Sequence, residues 1–136
     1  MFSALDVSTS GLVAQRARLN AISSNIANMS TTRNERGEAE PYQPRYVTFQ
    51  TDTEITTPGG GAGVKIGSVE HSTEPPQMKY EPGHPDADER GFVRYPAVNM
   101  TMEFVDALEA TRAYEANIGV IEVTKNMTEQ TLRIIA

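Results

Sequence analysis

The chain has 136 residues, which is enough for one domain or for one small domain with appendages. Its net charge of −6 is spread over interspersed signs, which argues against nucleic acid as a partner, because no Lys/Arg cluster could neutralise successive phosphates. Only 38% of the residues are hydrophobic, no apolar run approaches the roughly 20 residues that cross a bilayer, and the absence of cysteine excludes disulfides and thiol chemistry.

The amino-terminal segment carries an apolar residue every seven positions. The series, with its two intermediate members, comprises Leu5, Leu12, Leu19, Ile22, Ile26 and Met29. Because a helix turns once in about 3.6 residues, this spacing predicts a helix that ends at about 27–29 and carries one narrow apolar seam. Ser8 and Gln15 interrupt the seam at regular spacing, as polar residues that fix helix register do. This end lacks the basic start, apolar block and cleavage site of a secretory signal, so we expect a cytosolic protein or one exported without cleavage.

The middle of the chain contains short runs that alternate as strands do, at residues 46–49, 54–56 and 64–66. Pro58 and the glycine run 59–61 separate the second run from the third. This pattern predicts one long β-hairpin with a flexible tip at 58–63. Pro75 and Pro76 are predicted to end the sheet pattern, and residues 80–96 are predicted to form a loop rich in Pro, Gly and Asp.

The carboxy-terminal segment shows alternating steps of three and four residues, as a helix seam does. The series is Phe104, Ala107, Thr111, Tyr114, Ile118, Ile121, Lys125, Thr128, Leu132 and Ile135. Asn99 and Thr101 are both acceptable caps for the start of this helix. Gly119 lies inside it, at a cost of about 1 kcal/mol relative to Ala. A close approach by another backbone and a tolerated defect are equal explanations for this glycine.

These elements predict an α+β fold, in which long terminal helices pack as a coiled-coil-like pair around a small β-hairpin region. The predicted division is 1–30 for the first helix, 31–98 for the β-rich middle and 99–136 for the second helix. Narrow seams at both ends suit helix pairing and leave a face for neighbouring subunits, which is the layout of an assembly subunit. Several asparagines crowd the two helices although Asn is a poor helix former, and their donors and acceptor suit side-chain bonding between closely packed subunits.

No constellation in the sequence supports catalysis, a metal or a cofactor. The glycine run lacks the spacing of a phosphate-binding loop, because Val64 stands where a second glycine is needed. Residues 86–91 resemble the front of a calcium loop, but Ala97 stands where a bidentate Glu is required. His84 lies beside Asp86 and Asp88, without the rest of a first shell of metal ligands. We therefore expect no catalytic, cofactor-binding or metal-binding residue and no small-molecule substrate.

Three segments resemble a known family. Residues 19–28 read LNAISSNIAN and resemble the amino-terminal signature of the bacterial flagellar rod and hook proteins. Residues 112–117 read RAYEAN and are similar to the carboxy-terminal motif of that group. Residues 80–93 read YEPGHPDADERGFV and resemble the hallmark of one member, a protein of the proximal rod.

The resemblance implies a structural subunit of the basal-body proximal rod, which transmits torque and lines the export channel by helix packing with its neighbours. It implies contacts with itself, with other rod proteins, with basal-body ring or adaptor proteins at the inner membrane, and with the flagellar type III export apparatus. It also implies assembly in the periplasm after export without a cleaved signal. The residues expected to pack helices in the assembly are Leu5, Leu12, Leu19, Ile22, Asn25, Ile26, Asn28, Tyr114, Asn117, Ile118, Ile121 and Leu132.

The loop that carries the third motif is expected to act as a structured clamp against the helical tube and neighbouring subunits. Prolines stiffen it, glycines permit tight bends, and Asp86 and Asp88 can cap backbone amides or meet a basic side chain. Phe92 and Tyr95 are expected to be its apolar anchors. The clamp residues are Tyr80, Pro82, Gly83, His84, Pro85, Asp86, Asp88 and Phe92.

Two other readings of the sequence compete with the rod subunit. The first is a helical adaptor or binding module that stays in the cytosol, which ordered ends in the free protein would favour. The second is a small metal-dependent hydrolase that uses His84, Asp86 and Asp88, for which the sequence offers no further titrating partner.

Overall fold

A computed structural model describes residues 2–135, with side chains from residue 3 onward. Along the chain, two helices flank two small antiparallel sheets, which confirms the predicted α+β class. The elements in chain order are α1 (Phe2–Ala27), β1 (Arg45–Thr56), β2 (Ala62–His71), β3 (Gln77–Tyr80), β4 (Phe92–Tyr95) and α2 (Met100–Ile135). Within residues 2–135, neither helix combines the length and apolar content that crossing a membrane requires.

The two helices pack against each other in an antiparallel pair. Gly11 lies against Asn117, and Asn25 bonds to Glu103, so fourteen residues separate these two contacts in each helix. The approach at Gly11 is close, because a Cβ atom there would lie 2.9 Å from the Asn117 amide nitrogen. Nine residues before Gly11, α1 begins at Phe2. Nine residues after Asn117, α2 has reached only Asn126 and still continues to Ile135. The carboxy-terminal end of α2 therefore extends past the start of α1.

The seam predicted for α2 consists of two rows of residues, each with a spacing of seven. The structure confirms one row and shifts the other by one residue. Ala107, Tyr114, Ile121 and Thr128 are partly buried, as predicted. In the other row, the inward positions are held by Glu103, Ala110, Asn117 and Thr124 in place of Phe104, Thr111, Ile118 and Lys125. Close approach of two backbones selects small or hydrogen-bonding side chains and turns the bulky ones outward. Within the described chain, no atom lies within 4 Å of a Cβ placed on Gly119, so no close approach here accounts for that glycine.

The predicted long hairpin is present as β1 and β2, which pair antiparallel with Val47 opposite Val69. Its turn is closed by a hydrogen bond of 2.8 Å from the Thr57 backbone N–H to the Gly61 carbonyl. This sheet packs on α1, where the Ser10 hydroxyl accepts from the Val64 backbone N–H at 3.0 Å and donates to the Val7 carbonyl at 2.7 Å. Ser10 thereby fixes β2 to the amino-terminal half of α1.

The prediction that Pro75 and Pro76 end the sheet pattern is wrong, because β3 and β4 form a second antiparallel sheet beyond them. Gln77 pairs with Tyr95, and Tyr80 pairs with Phe92. The strands have only four residues each. The residues of β3 do alternate between polar and apolar, but the run is too short to identify a strand, and β4 shows no such alternation. The predicted loop at 80–96 is in fact the connection of this second hairpin together with β4.

Candidate assembly site

Asn25 is the centre of a buried polar cluster between α1, β1 and α2. Its side chain is fully buried, with 0% of its surface exposed. The amide nitrogen donates to the Arg45 carbonyl at 2.9 Å and to the Glu103 carboxylate at 3.1 Å. The amide oxygen accepts from the Arg45 backbone N–H at 2.8 Å and from the Tyr42 hydroxyl at 3.1 Å. All four bonds open to an Asn side chain are made. We call Asn25, Tyr42, Arg45 and Glu103 the Asn25 junction.

Glu103 supplies the α2 side of the Asn25 junction and is only 4% exposed. Burial raises the pKa of its carboxyl group, the hydrogen bond from Asn25 opposes this rise, and the nearby charge of Asp106 adds to it. The carboxylate lies in the first turn of α2, where the unpaired backbone N–H groups of the helix start favour a negative charge. Of the two candidate caps, Asn99 holds that start, since its side-chain oxygen accepts from the Thr101 backbone N–H at 3.1 Å.

Further polar contacts support the junction on both sides. The Tyr42 hydroxyl lies 3.1 Å from the Ser24 hydroxyl. Asn28 ends α1, because its amide nitrogen donates to the Ser24 carbonyl at 2.9 Å and its amide oxygen accepts from the Thr31 hydroxyl at 3.1 Å. These bonds fix where the helix stops and where the chain leaves it.

Arg18 joins the two helices two turns before the junction. Its guanidinium lies 3.2 Å from the Asp106 carboxylate and 3.2 Å from the Glu109 carboxylate. The acidic partners are partly exposed, so water screens these pairs and each contributes at most about 1 kcal/mol. Their main effect is to hold the antiparallel register that the Asn25 junction also sets.

Asp86 ties the loop between β3 and β4 to the segment that follows α1. Its carboxylate accepts from the Thr32 hydroxyl at 2.8 Å and from the Arg33 guanidinium at 2.6 Å. The Thr32 hydrogen bond is the largest cause of a lowered pKa for the Asp86 carboxyl group, and Arg33 adds to the effect. The Asp86 backbone N–H donates to the His84 ring at 3.1 Å. Two roles were open to Asp86, capping backbone amides or meeting a basic side chain, and the structure shows the second, with Arg33 as the partner.

Asp88 shapes the second half of the same loop by capping backbone amides, which is one of the two roles that the sequence left open for it. Its carboxylate accepts from the backbone N–H groups of Arg90 at 2.9 Å and Phe92 at 2.8 Å. Gly91 follows with a φ of +82°, and a Cβ there would lie 2.9 Å from the ring of Tyr80. Only glycine fits both the backbone conformation and the available space.

The apolar anchor of this hairpin is Val93, which is 0% exposed, and the prediction that Phe92 anchors it is wrong. Phe92 points outward and packs edge-on against Tyr80, with ring centroids 5.3 Å apart. Successive strand residues face opposite sides, so burial of Val93 exposes Phe92. Tyr95, the other expected anchor, is partly buried and donates its hydroxyl proton to Glu81 at 2.9 Å. That hydrogen bond is the first cause of a raised pKa for Tyr95.

Comparison with known proteins places the chain in a family. The family model described as "Flagella basal body rod protein" matches residues 5–33, and the model described as "Flagellar basal body rod FlgEFG protein C-terminal" matches residues 89–134. The chain is 38% identical to the flagellar basal-body rod protein FlgC of Borreliella burgdorferi, over 99% of this chain and 97% of the relative. It is 38% identical to FlgC of Salmonella typhimurium and 37% identical to FlgC of Bacillus subtilis, in both cases over 98% of this chain and 97% of the relative.

The chain belongs to the FlgC family of flagellar basal-body rod proteins. It is therefore a structural subunit of the bacterial flagellar basal-body rod, and other basal-body components are its partners. The Asn25 junction connects the two segments that the family models match, since Asn25 lies in the first and Glu103 in the second.

The residues predicted to pack helices fall into two groups in this FlgC-family chain. Ile118 and Leu132 are exposed within the subunit. The others are partly or fully buried within it: Leu5, Leu12, Leu19, Ile22, Asn25, Ile26, Asn28, Tyr114, Asn117 and Ile121. Asn25, Asn28 and Asn117 make their described bonds inside the subunit, because Asn117 donates to the Ala113 carbonyl of its own helix at 2.9 Å.

The clamp residues of the loop divide in a similar way. His84 and Asp86 are partly buried, whereas the exposed members are Tyr80, Pro82, Gly83, Pro85, Asp88 and Phe92. Among residues 2–135, no group of three or more His, Cys, Asp or Glu side chains is placed to hold a metal ion.

Sequence reasoning missed Glu103, Tyr42 and Arg45 as members of the Asn25 junction. The sequence did signal that Asn25 needs a polar partner, because this asparagine stands between Ile22 and Ile26 in an apolar row and a buried amide must be hydrogen-bonded. Nothing in the local pattern of the sequence identifies which side chain provides it.

Proposed function

We propose that this rod subunit belongs to the proximal rod, where it transmits torque and lines the export channel through packing of its paired helices with neighbouring subunits. The observation that supports this most is the surface of α2. One side of the helix is closed by α1, and the remaining surface carries large exposed apolar side chains in two stretches, 100–108 and 118–135. These are Met100, Met102, Phe104, Val105, Leu108, Ile118, Val120, Val123, Met127, Leu132, Ile134 and Ile135. Apolar exposure on this scale marks a surface that another protein covers.

Torque transmission requires that the helices and hairpins move together, and the Asn25 junction supports this role. A hinge between α1 and β1 would break the two bonds between Asn25 and the Arg45 backbone. A hinge between α1 and α2 would leave the Glu103 carboxylate without its buried donor. Leaving such groups unpaired costs about 1–3 kcal/mol each. The junction thus makes the subunit stiff where its elements meet.

The second hairpin supports the proposal that its loop clamps neighbouring subunits. Asp86 fixes the loop to Thr32 and Arg33, next to the end of α1. The outward-facing Tyr80 and Phe92 then form a rigid aromatic pair at the surface. A surface aromatic pair held in place offers contact area with little loss of side-chain entropy on binding. We propose that Tyr80 and Phe92 contact another subunit of the rod.

We further propose how the subunit is exported and which proteins it contacts. The subunit passes through the flagellar type III apparatus with its amino end uncleaved, and it assembles in the periplasm. Its partners there are copies of itself, other rod proteins and the ring or adaptor proteins at the inner membrane. In this proposal the chain has no catalytic function.

The test is isolation of basal bodies from flagellated cells that carry a tagged copy of the chain. The expected result is copurification with the rod, an amino-terminal peptide that begins at the start of the chain, and no effect of chelators on assembly. Detection of the chain only in the cytosol, bound to a non-flagellar protein, would favour an adaptor. Calorimetric titration with Ca²⁺ and Zn²⁺ tests the hydrolase. Tight stoichiometric binding that His84→Ala abolishes would favour that reading.

A further inference from the structure

Within residues 2–135, no element covers the carboxy-terminal end of α2. Partial burial along α2 stops at Thr128, and every residue in 129–135 is exposed. We call residues 129–135 the overhang. Leu132 is 61% exposed and Ile134 is 85% exposed, although both are large aliphatic side chains. The overhang continues the helix that pairs with α1, so it extends an existing helix interface beyond the point where α1 begins.

A groove of about 430 Å³ lies between α1 and the β1–β2 hairpin, beside the same half of α1. Its walls are mostly aliphatic, with Val13 and Ala14 from the helix and Ile55, Val64 and Ile66 from the strands. Val13 is 58% exposed and Ile66 is 42% exposed, so the groove is open along one side. Such a groove suits the apolar face of a helix, with anchors spaced three or four residues apart.

The charges of the overhang and of the groove are complementary. The overhang contains Glu129 and Arg133, one helical turn apart. The groove contains Asp6 on its helix wall and Lys65 on its strand wall. Within the described chain none of these four exposed side chains forms an ion pair. Each surface therefore offers one unpaired charge of each sign beside an apolar area that is also uncovered.

The groove and overhang of one subunit cannot meet, because α2 is a single helix through Ile135 and would have to break to fold back. We propose that the overhang of one subunit docks in the groove of a second copy of this chain. Leu132 and Ile135 enter the groove as anchors, and Arg133, on one side of these anchors, faces Asp6. Because the overhang and the groove are different surfaces, the contact is head-to-tail and joins successive copies around an assembly. This inference rests on the proposed function and names one neighbour within it.

The test uses the absence of cysteine from the chain. Leu132→Cys and Ile66→Cys are placed in separate full-length chains that are made together in flagellated cells, and mild oxidation is followed by basal-body isolation. The matched control pairs Ile66→Cys with Leu108→Cys, because Leu108 and Leu132 are both 61% exposed. A disulfide needs Cα atoms within about 7 Å, so the dimer that joins positions 132 and 66 should exceed the control dimer at least about tenfold. A second pair, Ile135→Cys with Val13→Cys, repeats the test without either first substitution.

The outcomes separate the inference from the proposed function. Interchain dimers of both test pairs in isolated basal bodies support the docking. Basal bodies that contain the chain but show no dimer above the control, or show position 132 joined to a different rod protein, overturn the docking and leave the rod function standing. Absence of the unsubstituted chain from basal bodies overturns the proposed function itself.

Discussion

Removal of the Asn25 side chain is the most direct perturbation of the subunit's internal structure. Asn25→Ala deletes both donors and the acceptor of the amide group and leaves the backbone otherwise unchanged. The Arg45 backbone then loses a donor partner and an acceptor partner, and the Glu103 carboxylate loses its buried donor. Tyr42 keeps its contact with Ser24, so its loss is smaller.

The expected magnitude follows from these contacts. A satisfied bond between neutral groups contributes about 0.5–1.5 kcal/mol, and an orphaned buried group costs about 1–3 kcal/mol. Two orphaned backbone groups and one weakened carboxylate contact place the loss in unfolding free energy at about 3–5 kcal/mol, allowing for water that enters the vacated space. A domain of this kind has about 5–15 kcal/mol in total, so the variant should remain folded only under mild conditions.

The assay is urea unfolding of the purified chain, followed by circular dichroism of the helices. Ordered helices in the free chain also fit the cytosolic adaptor, and the isolation of basal bodies described above separates that function from the rod subunit. Asn20→Ala is the matched control, because Asn20 lies on the same helix and is exposed. Alanine is the better helix former, so this control should change stability by no more than about 0.7 kcal/mol, in the stabilising direction. If Asn25→Ala shifts the unfolding free energy as little as Asn20→Ala does, the junction does not hold the elements together.

Three further predictions concern assembly and pH. Leu19→Asp should prevent incorporation into basal bodies, because an unpaired carboxylate in the helix contact costs several kcal/mol; a motile strain with normal rods would place Leu19 outside any interface. The pKa of Glu103 is raised in the folded chain, so stability should fall as pH rises from the ordinary Glu value through the raised one. Glu103→Gln should remove that decline, as measured by urea unfolding at several pH values. If the unfolding free energy of the variant falls with pH as steeply as that of the parent chain, Glu103 is not the group responsible. The lowered pKa of Asp86 gives the opposite sign: its contribution is present above the ordinary Asp value and disappears as pH falls through the lowered one. Asp86→Asn should therefore expose the loop amides to hydrogen exchange at neutral pH and have little effect below the lowered pKa; equal protection in both proteins at neutral pH would contradict this.

The terminal helices and the first hairpin were predictable because each repeats its pattern over several turns or several strand residues. The seven-residue series predicts α1, and its end at Ala27 falls within the predicted range 27–29. Capping chemistry offered Asn99 and Thr101 for the start of α2, and Asn99 is the cap. The helix contact was only half predictable. Hydrophobicity favours Phe104 and Ile118 as inward residues, whereas the inward positions are held by Asn117, which lies against Gly11, and by the small, fully buried Ala110. Three-dimensional fit decided this row, and periodicity alone does not encode it.

The candidate site was predictable where the chemistry is local and was missed where it joins distant parts of the chain. Asp88 caps amides two and four residues away, and such short-range bonds follow from the residue type. The partner of Asp86 lies 53 residues away, and Asn25 bonds to Glu103 across 78 residues. Only the fold brings these groups together. The second hairpin was missed for a related reason, since Val93 alone is buried in two strands of four residues.

The most direct test of the account is an electron cryo-microscopy reconstruction of basal bodies whose FlgC-family component is this chain. We predict, in the wall of the rod, an antiparallel helix pair in which Asn25 meets Glu103, with the exposed side of α2 covered by neighbouring subunits. A rod that lacks the chain would contradict the account. So would a rod in which α1 and α2 of one subunit lie apart, or in which α2 keeps its apolar surface open to water.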